Sequence, residues 1–188
     1  MKRILIAGLI ACSLMSCKQS HSDQISEDSV YNLSSKWQKQ DGSKIQLVDL
    51  KGKVVVMVMI YTSCKTACPR LTAEMRQIAQ KVGDADAKDI RYVLVSIDPE
   101  KDTPEKMTEY LKTNKFDSEQ WVFLRADEDD TRELANVLSV KYKEISPIDF
   151  SHSNIISVFS KDGSLAFQKE GLGLDIEGTV AEIKKQLQ

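Results

Sequence analysis

Two cysteines four positions apart, Cys64 and Cys68, stand in the segment Tyr61-Thr62-Ser63-Cys64-Lys65-Thr66-Ala67-Cys68-Pro69, between an apolar run and a stretch of helical periodicity. Thiols so placed meet the start of a helix. Unpaired N–H groups and the macrodipole favour negative charge there, so thiolate forms readily and serves as ligand or nucleophile. Four residues of helix rise by about 6 Å, near the upper part of the Cα range for a disulfide. A metal ion that holds each sulfur at about 2.3 Å, the zinc value, can span such a pair more easily than an S–S bond can. Because Cys64 is expected in the loop ahead of the helix, a Cys64–Cys68 disulfide is also feasible, and both states are expected.

Two thiolates leave a metal site incomplete, and the candidate for a third ligand is His152, in Asp149-Phe150-Ser151-His152-Ser153-Asn154. A single histidine at the entrance to a strand is ordinarily a hydrogen-bonded surface or core residue. Two cysteines in a position that favours thiolate change that reading. Two sulfurs and one nitrogen suit copper, Cu(I) in particular, with zinc as the competitor. The other histidine, His21, sits in a polar stretch without further ligand types and reads as a solvated linker residue. Met57, Met59 and Met75 fall inside apolar periodic segments and read as core.

The elements that must bring these side chains together alternate between short apolar runs and helical stretches, the mark of an α/β protein. Val54 to Ile60 is apolar throughout, as in a strand covered on both faces, and Arg91 to Ile97 is the next buried strand. Arg70 to Val82 places Leu71, Met75, Ile78, Ala79 and Val82 at helical spacing. Thr103-Pro104-Glu105 reads as cap, first-turn proline and first-turn acid of a helix reaching about Leu111, which accounts for the acids of Asp98-Pro99-Glu100-Lys101-Asp102 as a solvated loop. Trp121 to Leu124 predicts a strand and Thr131 to Leu138 a helix. Asn154 to Phe159 and Leu165 to Gln168 flank Lys161-Asp162-Gly163, a hairpin signal, and Ile176 to Leu187 closes the chain as an amphipathic helix. This order predicts a thioredoxin-like fold, with a central mixed sheet flanked by helices and a C-terminal hairpin and helix. In that fold the loop bearing His152 neighbours the start of the cysteine helix.

The N-terminus adds an address. Met1-Lys2-Arg3 precedes an apolar run from Ile4 to Met15, too short to span a bilayer as a helix, and then Ser16-Cys17. Leu14-Met15-Ser16-Cys17 resembles a bacterial lipobox, with Cys17 lipidated after removal of residues 1–16. Leu9-Ile10-Ala11-Cys12 is the poorer candidate because it leaves a shorter apolar core. Residues 17–30 then form a polar tether and residues 31–188 the domain. The 188-residue length fits one core, and 41% hydrophobic with 29% charged residues is a globular composition. The 26 basic residues are interspersed with 28 acids, which argues against a nucleic-acid partner.

Taken in order, Tyr61-Thr62 with Cys64, Cys68-Pro69 and Met75, then Val95-Ser96-Ile97-Asp98-Pro99-Glu100 with Asp102-Thr103-Pro104-Glu105, and finally His152-Ser153 and Asp162-Gly163, resemble the Sco/SenC copper proteins over about residues 31–188. The resemblance implies a thioredoxin fold, an export or membrane anchor, copper held by Cys64, Cys68 and His152, and help in assembling the binuclear copper A centre of cytochrome c oxidase. Two positions depart from the family pattern. Lys65 replaces a frequent proline and puts a cation near the thiols. Ser151 replaces a frequent aspartate before the ligand histidine, a position from which a carboxylate would orient the imidazole, and Asp149 is the candidate substitute.

Two functions follow as expectations. The leading one is a metallochaperone that passes copper to an exported cuproprotein, such as a cytochrome c oxidase subunit, with the disulfide as the copper-incompetent state. The other is a thiol–disulfide reductase in which Cys64 attacks and Cys68 resolves. A peroxidase, known on the same fold, ranks third.

Overall fold

The computed structural model describes residues 25–188 except 84–87, 117, 148 and 174. Cys12, Cys17 and His21, and the expected signal segment with them, lie outside the described residues. In chain order the strands and α-helices are β1 (Lys36–Lys39), β2 (Lys44–Gln46), β3 (Val54–Ile60), α1 (Ala67–Val82), β4 (Ile90–Ser96), α2 (Pro104–Thr113), β5 (Trp121–Arg125), α3 (Glu128–Val137), β6 (Tyr142–Ser146), β7 (Asp149–His152), β8 (Ile155–Phe159), β9 (Leu165–Glu170) and α4 (Ile176–Leu187).

Every residue of β3 is buried, because neighbours flank it on both edges and side chains cover both faces. It pairs in parallel with β4 and antiparallel with β8, inside a seven-stranded sheet of order β2-β1-β5-β4-β3-β8-β9. Each fully buried valine in such a strand is worth about 2 kcal/mol of transfer free energy. The mixed sheet agrees with the expected fold class. Met57, Met59 and Met75 are core residues, at most 1% exposed.

Helix α1 turns Leu71, Met75, Ile78 and Val82 inward at helical spacing. It begins at Ala67, three residues ahead of the expected Arg70, so Cys68 lies within its first turn. The Thr103 side chain caps α2, with Pro104 in the first turn as its fixed φ predicts, and the helix reaches Thr113. Helix α3 also starts three residues early. Asp127 caps it by accepting the Asp130 N–H at 2.8 Å, and three acids then occupy a first turn where the macrodipole favours them.

Two hairpins were not foreseen. β1 and β2 are short and rich in Lys and Gln, and β6–β7 forms a separate two-stranded sheet whose residues are half-buried or exposed. Neither shows a clean alternation of apolar and polar residues. The second matters for function, because His152 is the last residue of β7 rather than the entrance of β8.

At the opposite end of β3 the segment at Ser29 and Val30 docks onto the β8–β9 turn. Ser29 Oγ donates to the Asp162 carbonyl at 2.6 Å, and the Val30 N–H donates to the Gly163 carbonyl at 2.9 Å. Gly163 has φ +84°, and a Cβ there would collide with Ser29 Oγ and the Tyr31 ring. Among the described residues no helix is long and apolar enough to cross a membrane.

Candidate metal centre

The register of the sheet dictates where His152 falls. Val58 pairs with Ile156 across the antiparallel β3–β8 ladder, and each step forward along β3 matches a step back along β8. Continuing past the strand ends sets His152 level with Thr62, at the carboxyl end of β3, where open α/β sheets place their sites. Helix α1 starts from that same end. Cys64, Cys68 and His152 consequently meet, and their ligand atoms all lie within 4.8 Å of one another.

Both cysteines are free thiols in this structure. Cys68 is fully buried and Cys64 is 7% exposed. Thr66, at the N-cap of α1, makes no side-chain capping bond. The Cys64 sulfur serves instead, accepting the Cys68 N–H at 3.4 Å, and so takes up one of the donors that a helix start leaves unpaired. The two thiols are thereby made unequal. Burial opposes ionisation of Cys64, but the Cys68 and Thr66 N–H groups at the helix start more than offset it and hold this thiol below its ordinary value. Burial pushes the Cys68 thiol up, and the adjacent Cys64 charge adds to the effect. Lys65, expected to favour thiolate, is an exposed side chain, and the lowering of Cys64 comes chiefly from the helix start.

His152 Nε2 stands 3.4 Å from Cys68 Sγ, while Nδ1 lies 2.9 Å from the Ser153 carbonyl. A carbonyl only accepts, so Nδ1 carries the proton and Nε2 turns a lone pair toward the sulfurs, the tautomer that a metal requires. Burial holds the imidazole pKa below its usual value, partly opposed by the Ser153 hydrogen bond. The expected orienting role of Asp149 is therefore filled by a backbone carbonyl. Asp149 Oδ1 instead accepts the Tyr61 hydroxyl at 2.5 Å. A small recess of about 310 Å³ opens beside His152, lined by Lys141, Ser151, Ser153, Asn154, Glu170 and Gly171.

The acid-rich segment after β4 does more than start a helix. Asp102, 1% exposed, accepts the Ser96 hydroxyl at 2.6 Å, the Thr62 hydroxyl at 2.5 Å and the Thr62 N–H at 3.2 Å. It thus fixes the first turn of the cysteine loop to the neighbouring strand. Burial raises its pKa, against the lowering effect of these donors. Sequence reasoning placed Asp102 in a solvated loop, because Thr103-Pro104 already explained the acids locally. Its partners Ser96 and Thr62 come into view only with the β3–β4 pairing. Tyr61 figured in the sequence only as part of the family motif for the same reason, as it follows an all-apolar strand and its hydroxyl partner lies 88 positions away.

Two sulfurs and one imidazole nitrogen, two of the three wholly or nearly shielded from water, make a soft donor set that fits copper. The sequence model described as SCO1/SenC matches residues 26–188. The chain belongs to the SCO1/SenC family. A curated Bacillus subtilis relative named as a SCO1 protein homolog is 34% identical over 121 residues, which cover 64% of this chain and 61% of that one. This chain thus spans about three fifths of that relative's length. Among solved structures, Bradyrhizobium japonicum ScoI with copper bound superposes with a TM-score of 0.69 at 24% identity, over 81% of this chain and 96% of that one. BsSco, described as carrying a disulfide switch and as a member of the Sco family of cytochrome c oxidase assembly proteins, gives a TM-score of 0.71 at 25% identity, over 81% and 90%. These neighbours share the thioredoxin-like fold expected from the order of elements. The part of this SCO1/SenC chain that carries the Cys-Cys-His cluster lies wholly within the matched residues.

Proposed function

We propose that this chain is a copper metallochaperone of the cell envelope that holds one copper ion through Cys64, Cys68 and His152 and yields it to an exported cuproprotein. The observation that carries the reading is the meeting of three donor atoms, from a loop, a helix and a hairpin, within 4.8 Å. The copper A centre of cytochrome c oxidase is the client that the family resemblance implies, and what supports an oxidase client is that BsSco is described as a member of a family of cytochrome c oxidase assembly proteins. Delivery is a ligand exchange. The recess beside His152 gives an incoming client donor access to the imidazole side, while Cys68 stays buried. Lipidation of Cys17, read from the N-terminal segment, would hold the domain at a membrane surface. A competition titration of the reduced full-length protein against a chromophoric Cu(I) chelator tests the reading. One equivalent of copper is expected, held at least tenfold more tightly than by His152→Ala. Equal affinity in the two proteins overturns the three-ligand site.

The inequality of the thiols supports a second activity, thiol–disulfide exchange. The Cys64 thiolate attacks a client disulfide and releases one client thiolate, which takes up a proton. Cys68, deprotonated, then displaces the second client sulfur and leaves a Cys64–Cys68 disulfide. A dithiol reductant must return that disulfide to thiols before the protein binds copper again. Turnover of a disulfide-bonded client peptide with dithiothreitol as reductant tests this, and a Cys64→Ser protein that retains turnover contradicts it.

A further inference from the structure

The hairpin that carries His152 is a two-stranded sheet outside the main one, and an isolated two-stranded hairpin is only marginally stable in water. What fixes it against the cysteine loop therefore determines whether His152 stands over the sulfurs. The contacts converge on one side chain. Tyr61 directly follows β3, is 1% exposed, and precedes Thr62, which Asp102 pins to β4. Its hydroxyl donates its one proton to Asp149 Oδ1 at 2.5 Å and accepts the Phe150 N–H at 3.2 Å. Its ring lies 5.2 Å from that of Phe150 and meets the His152 imidazole edge to face, with centroids 5.9 Å apart.

We propose that Tyr61 is a positioning residue for the copper site, its hydroxyl latching Asp149 and the Phe150 backbone so that the hairpin presents His152 to Cys64 and Cys68. The inference deepens the copper reading above and rests on it. Ser151, next to the imidazole, makes no such tie, and the carboxylate that links hairpin to body comes from Asp149, three residues before His152. The latch spans a rigid partner and a weakly supported one. Loss of the hydroxyl leaves the thiols in place and frees the imidazole.

Cu(I) affinity of the reduced full-length protein, measured by chelator competition, is compared for wild type, Tyr61→Phe, Asp149→Ala and the double variant, each with and without His152→Ala. Tyr61→Phe keeps the ring and its packing. Each single change is expected to weaken copper binding about tenfold, at the low end of the effect of removing a group that orients a ligand, and the double change no more than either one. In the His152→Ala background, Tyr61→Phe should change nothing. An unaltered affinity in Tyr61→Phe, or an equal loss with and without His152, overturns the proposal. Hydrogen exchange of the metal-free protein supplies a second readout. The Phe150 N–H is shared between the Tyr61 hydroxyl at 3.2 Å and Asp149 Oδ1 at 3.0 Å, so its amide should exchange faster in the double variant while the β3 and β4 amides do not, and an unchanged Phe150 rate there removes the latch. A wild-type protein that retains no copper overturns the copper reading and the role of Tyr61 in it, and the exchange data then report on the hairpin contact by itself.

Discussion

His152 Nε2 lies 3.4 Å from Cys68 Sγ across 84 positions of sequence, and the β3–β8 register is what closes that distance. The sulfur sits on a helix and the nitrogen at the end of a hairpin strand, so the site is assembled by tertiary structure alone. Several measurable consequences follow from the inequality of its parts.

Cys64 should be alkylated first. Iodoacetamide applied to the reduced, metal-free protein is expected to label Cys64 well before the fully buried Cys68, with a rate that rises through a midpoint lower than that of an ordinary cysteine thiol. Peptide mapping across a pH series reads both quantities. Labelling of Cys68 first contradicts the assignment of attacking and resolving thiols.

The imidazole should resist protonation. The folded-state pKa of His152 is depressed by burial, so its neutral form contributes stability that is present above the unfolded value of about 6.5 and is lost as pH falls through the lower folded value. An NMR titration of the metal-free protein should place the His152 midpoint below 6.5. Chemical denaturation from pH 7 to pH 5 should show a steeper loss of stability in the wild type than in His152→Ala. A midpoint above 6.5 rejects the tautomer and burial described here.

Asp102→Ala should be costly to the fold. The substitution strands the Thr62 N–H and the Ser96 and Thr62 hydroxyls, and an unpaired buried donor costs about 1–3 kcal/mol, so a loss of about 3 kcal/mol is expected. The urea midpoint should fall with little change in slope. A loss below about 1 kcal/mol indicates that water replaces the carboxylate.

Gly163→Ala separates stability from the site. The added Cβ strikes Ser29 and Tyr31 at the end of the domain away from the metal centre, in a backbone conformation with φ +84°. A loss of about 2 kcal/mol is expected, which lowers Tm by about 4–8 °C in a protein of this size, with copper affinity unchanged. A parallel drop in copper affinity would tie the two ends of the sheet together.

The sequence was legible where one element type dominates a stretch. Val54–Ile60 could only be a covered strand, and the Leu71, Met75, Ile78 and Val82 stripe could only be an inward-facing helix. Cys64, Cys68 and His152 stood out by type, and the fold class was enough to bring them together. The supports of the site were hidden. Tyr61 and Asp102 have local explanations as strand end and helix-cap neighbour, and Asp149 stood out only as a candidate partner of the imidazole, not of Tyr61. Their partners are set by strand register, which no window of sequence contains. The β6–β7 hairpin was missed because Tyr142-Lys143-Glu144-Ile145-Ser146 is too polar to signal burial, and this strand is mostly exposed.

X-ray absorption of the copper-loaded, reduced protein tests the central claim most directly. The account predicts a first shell of two sulfurs near 2.3 Å and one nitrogen near 2.0 Å, by analogy with zinc, and loss of the nitrogen in His152→Ala. A shell of sulfur alone, identical in wild type and His152→Ala, would contradict it.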